Sequence, residues 1–76
     1  MKDFVIYNVR ALAEFPKAVA VTEVEGKQTT ILEVRCHPKD FGRLIGRSGK
    51  TVAALRTLLS NLAAQRGRRA VLEVVE

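Results

Sequence analysis

Hydrophobic residues recur with a helical period at the start of this chain, alternate in the middle, return to helical spacing and alternate again at the end. That succession admits few folds, because a segment patterned every 3.6 residues cannot bury its apolar face as a strand, nor the reverse. In residues 3–14, Val5, Val9 and Leu12 share a face with Ile6 and Ala13 beside them, and Phe15-Pro16 should end the helix. Residues 17–36 are rich in Val, Thr and Ile and break once, at Gly26-Lys27, as two strands joined by a tight turn would. In the second strand Leu32, Val34 and Cys36 alternate with Glu33 and Arg35, so one face should be buried. Pro38 suits a first helical position with His37 as its cap, and Gly46 should stop that short helix. Residues 49–66 carry the longest stripe, Val52, Leu55, Leu59 and Leu62, widened by Leu58 and Ala63, with Ser48 at the N-cap position and Gly67 after the end. Residues 68–76 alternate like a final strand. The predicted order is α-β-β-α-α-β, an α+β sandwich whose three-stranded sheet is covered on one face by three helices.

With 76 residues the chain should form one domain, 1–76, near the lower limit for folding without staples. Its single cysteine, Cys36, excludes an internal disulfide, and with one histidine it cannot complete a four-ligand zinc site. Cys36 reads as a core residue rather than a reactive thiol. His37 reads as a cap or surface residue, because no acid, nucleophile or metal ligand is spaced to work with it. No cofactor is expected. The chain enters an amphipathic pattern directly, without a leader, and no apolar run approaches the roughly 18 residues of a membrane span. A soluble, reduced, cytoplasmic protein is the simplest expectation. Nothing resembles an enzyme: no paired carboxylates occupy a basic cleft, and so short a chain encloses no small-molecule substrate.

The net charge is +5. From Phe41 to Leu72 there are seven basic residues (Arg43, Arg47, Lys50, Arg56, Arg66, Arg68, Arg69) and no Asp or Glu, while the rest of the chain nets −2. All the positive excess therefore lies in one segment, the footprint expected for a polyanion partner.

That segment contains Gly46-Arg47-Ser48-Gly49 followed by Lys50-Thr51. A P-loop is excluded, since the position five before Gly49 is Leu44 rather than glycine and the loop follows a helix, not a strand. A helix-hairpin-helix clamp normally separates its glycines by one apolar residue, whereas two polar residues stand here. A plain turn between helices also uses small residues. The context favours a backbone clamp: two residues without Cβ atoms let a ribose-phosphate chain lie on the protein backbone, the amides opening the second helix face it, and Arg47 and Lys50 add charge.

"LIGRSGKTVAALR" resembles the I-G-x-x-G signature of KH domains, in which such a loop clamps about four nucleotides of single strand. The element order is similar to the type II, prokaryotic KH arrangement, with a three-stranded mixed sheet. Glu23–Gly26, then Pro38, Asp40, Gly42, Ile45 and Gly46, then Arg66–Arg69 match features of the stand-alone bacterial KhpA family, formerly called YlqC-like. The resemblance covers essentially the whole chain; Leu44 stands where valine is common. It implies that Gly46, Arg47, Ser48 and Gly49 grip phosphates, and that bases lie in an apolar groove between the helices and a sheet edge. A basic loop at about Arg66–Arg69, including Arg68 and Arg69, would close that groove. Ile45, Val52 and Leu55 are candidate groove residues, each also readable as plain core, a reading that the helical spacing of Val52 and Leu55 favours. Arg43 and Arg56 either reach phosphates or solubilise their helices; Arg47 and Lys50 are expected to make contact. All four aromatics lie at or before Phe41, so no stacking platform is expected in the basic loops, and bases should meet aliphatic surface. The resemblance implies a single-stranded RNA-binding protein, an RNA chaperone or post-transcriptional regulator, pairing with itself or with a larger KhpB/Jag-family protein. The alternative is a protein-interaction module that docks such a partner, with RNA incidental.

Overall fold

A computed structural model describes residues 1–75. Its element order is α1 (Lys2–Leu12), a single 3-10 turn (Pro16–Ala18), β1 (Ala20–Glu25), β2 (Thr29–Arg35), α2 (Pro38–Ile45), α3 (Gly49–Ala64) and β3 (Arg69–Val75). The expected α+β order of three helices and a three-stranded mixed sheet is what the chain adopts. The final strand is seen as Arg69–Val75, and Glu76 lies outside the described residues.

The strands lie in the order β1-β2-β3, with β1 antiparallel to β2 and β2 parallel to β3. The parallel pair requires a crossover, which α2 and α3 supply. Register puts Val21 beside Val34, and Leu32 beside Leu72, so the buried side chains of all three strands fall on one face. Burial confined to that face places the helices on it. The other face carries Val24, Ile31 and Val71 in one cross-strand row and Glu33 beside Glu73 in the next, all exposed or half-buried.

The core joins Val5 and Val9 of α1, Leu44 of α2 and Val52, Leu55, Leu59 and Ala63 of α3 to the sheet. Cys36 packs partly buried against it, and burial, with Asp40 nearby, raises its thiol pKa. Leu58 and Leu62 depart from the expected stripe: they are 51% and 44% exposed. A three-stranded sheet is narrow, and α3 meets it only along the Val52-Leu55-Leu59-Ala63 line.

Helix ends follow local chemistry where that chemistry is local. His37 Nδ1 accepts from the Lys39 amide at 3.1 Å and Pro38 opens α2, as its sequence implies. The end of α3 is a Schellman turn: the Arg68 amide reaches the Ala63 carbonyl at 2.8 Å, that of Gly67 reaches Ala64 at 3.0 Å, and Gly67 has φ +68°. Residues 65 and 66, expected in the helix, belong to this closing turn. α1 stops at Leu12 rather than at residue 14, because the Glu14 and Phe15 amides turn away to bind the Asp40 carboxylate, at 2.9 Å each.

Candidate nucleic-acid interface

The Gly46–Gly49 segment is a tight turn set by its own backbone. The Gly46 amide donates to the Gly42 carbonyl, Ser48 to Arg43, both at 2.8 Å, and Gly49 to Gly46 at 3.1 Å. A Cβ on Gly46 would stand 3.1 Å from the Gly42 carbonyl oxygen, so any larger residue crowds the turn there. Gly49 differs. A Cβ there would meet nothing within 4 Å, so the fold has no internal need of a small residue, and the bare backbone faces open space.

Ser48 occupies the N-cap position of α3 but its hydroxyl makes no cap bond. Its ψ of 13° is far from the extended conformation that swings a cap oxygen over the first turn. Among the described residues, the amides of Arg47, Lys50 and Thr51 donate to no backbone acceptor. These donors sit at the positive end of a 16-residue helix, with the side chains of Arg47 and Lys50 exposed.

Beside the turn lies a cleft of about 250 Å³ lined by Leu44, Ile45, Gly49, Val52, Arg56 and Val74. Ile45 is 56% exposed and is therefore groove surface rather than core. Val52 does both, being 94% buried while lining the cleft floor; Leu55 is core alone. A second cleft, of about 450 Å³, follows between α3 and β3, with Ser60, Ala64, Arg69 and Leu72 in its wall. The two share Arg56, whose Nε donates to the Leu72 carbonyl at 3.2 Å. Arg56 thus bridges α3 to the outer strand at the waist of the groove. β3 is that outer strand, so an open sheet edge runs along the same path, with its Leu72 carbonyl taken by Arg56.

The other expected residues are distributed unevenly. Arg43 is half-buried on α2 beside Asp40. Arg69 is exposed on the second cleft, at the far end of α3, about 24 Å from the glycine turn by helix rise. Arg68 also lines the second cleft, and its guanidinium donates to the Lys27 and Gly26 carbonyls at 3.1 and 3.2 Å and to Thr30 Oγ1 at 3.1 Å. Those bonds fasten the β1–β2 turn from the cleft side. Val74 and Ser60 were not singled out by sequence; alternation marked Val74 only as a strand residue, and nothing marked Ser60.

The family model for the KH domain of KhpA and KhpB matches residues 2–74. Among curated relatives, the RNA-binding protein KhpA of Aquifex aeolicus is 38% identical over 76 residues, covering 100% of this chain and 96% of that one. The protein of the same name from Chlamydia caviae is 38% identical over 100% and 97% of the two chains. That from Clostridium acetobutylicum is 35% identical over 99% and 100%. No solved structure matches significantly. All three relatives carry the name RNA-binding protein KhpA. The glycine turn, the element order and these matches agree, and the chain belongs to the KhpA/KhpB family of KH-domain proteins.

Proposed function

We propose that the chain is a single KH domain that binds single-stranded RNA without catalysis. The sugar-phosphate backbone lies on Gly46-Arg47-Ser48-Gly49, with bases in the groove of Ile45, Val52 and Arg56. The observation that carries this reading is Gly49: its side-chain space is empty although no neighbour requires it, and beside it lie two exposed cations and amides that, among the described residues, donate to no backbone acceptor. The names of the relatives, RNA-binding protein KhpA, support RNA as the polymer. A cytoplasmic RNA chaperone or post-transcriptional regulator is the role that suits a small, sequence-tolerant clamp. No helix among the described residues is long and apolar enough to cross a membrane.

A second reading draws on Leu58 and Leu62, exposed on α3. There the domain docks a second copy or a KhpB/Jag-family partner, with RNA incidental. Fluorescence anisotropy of short randomised single-stranded RNA, against duplex RNA and single-stranded DNA, tests the first. Arg47→Asp with Ser48→Asp should weaken single-strand binding about tenfold or more while circular dichroism stays unchanged. Binding untouched by that folded double variant would remove the clamp and leave the docking reading.

A further inference from the structure

We propose a second nucleobase site, at the end of α2 remote from the glycine turn, where Phe15 and His37 line an apolar hollow. It rests on the RNA-binding reading above and extends it to strands longer than the roughly four nucleotides that a KH loop clamps. The two rings are stacked, with centroids 4.1 Å apart and planes 21° from parallel. With Glu14, Pro16, Lys17 and Ala18 they enclose about 350 Å³, within the range of about 300–1,000 Å³ typical of small-ligand clefts.

The ring pair is held in place before any ligand arrives. The Phe15 amide donates to Asp40 Oδ2 at 2.9 Å, and His37 Nδ1 accepts from the Lys39 amide at 3.1 Å. A pre-ordered aromatic surface costs a stacking base little further entropy. Charge links the hollow to the glycine turn. Lys39 Nζ lies 6.0 Å from the Phe15 ring centroid, and Lys39, Arg43 and Arg47 follow at four-residue intervals along α2 and into the turn. The Lys39–Arg43 interval is about 6 Å of helix rise, a spacing that phosphates of one strand can follow. Asp40 does not interrupt that line, because it is fully buried and bound to two amides. Glu14 on the rim repels phosphate but accepts from an exocyclic amine, which favours cytosine or adenine over uracil.

The test compares oligocytidine RNAs of about four and about ten nucleotides by anisotropy. Phe15→Leu keeps apolar volume without the ring, and His37→Asn keeps a cap acceptor without the ring. Each should weaken the longer RNA about tenfold, the size of one stacked base, and leave the shorter one unchanged. His37 is the sole histidine, so its ring proton signals identify themselves and should shift as wild-type protein is saturated with the longer RNA. Unchanged affinity of both variants for the longer RNA, with unmoved histidine signals, would overturn the second site while the glycine clamp stands. Failure of the Arg47→Asp/Ser48→Asp variant to weaken either RNA would remove the clamp and this extension with it.

Discussion

A carboxylate without solvent exposure must direct its oxygens at donors, and Asp40 does so across a long stretch of chain. Its two oxygens each take one amide, from Glu14 and Phe15. Burial alone would raise its pKa, but those amides, with Arg43 and His37 nearby, outweigh it and hold the carboxyl below its ordinary value of 3.8. In acid the unfolded chain therefore takes up this proton before the folded one does. The stability Asp40 contributes is fully present above about 3.8 and is lost as pH falls through the lower folded value. Urea unfolding midpoints of Asp40→Asn should depend less steeply on pH below 3.8 than those of the wild type. Identical slopes would show that this carboxylate does not set the acid response. Sequence marked Asp40 only as part of a family pattern. Its partners are 25 and 26 residues away, beyond any local signal.

At the scale of elements, α3 joins the two ends of the groove, and its termination decides where β3 begins. Gly67 holds the left-handed conformation that completes the closing turn, and no neighbour occupies the space of its missing side chain. Gly67→Ala should therefore cost about 1–2 kcal/mol by backbone strain alone, measured as a lower unfolding free energy in denaturant. In the hydrophobic body of the same helix, Leu59→Ala should cost about 2–5 kcal/mol, since Leu59 is 1% exposed within the core. Both the stop at Gly67 and the core position of Leu59 were legible, because each follows from local spacing. The exposure of Leu58 and Leu62 was not: it depends on how wide a sheet lies beneath the helix. The missing Ser48 cap bond was equally hidden, since it turns on one ψ angle imposed by the tight turn before it.

For the whole molecule, charge and shape divide the surface. Arg56, Arg68 and Arg69 line the groove and Arg47 and Lys50 flank Gly49 in sequence at its glycine turn, while Glu33 and Glu73 lie on the uncovered sheet face. If the groove engages about four phosphates, the logarithm of the binding constant should fall against the logarithm of salt concentration with slope about −3. Anisotropy titrations across a range of salt give that slope, and a value near zero would mean that apolar contact, not charge, carries binding. The order of elements, the glycine turn and the basic segment were set by the amino-acid sequence alone, because period, punctuation and charge are properties of neighbours along the chain. Only the tertiary structure decided which arginines stay free. It tied Arg68 to the β1–β2 turn, hooked Arg56 onto β3, and stacked Phe15 on His37, since each of those contacts joins residues at least 16 positions apart.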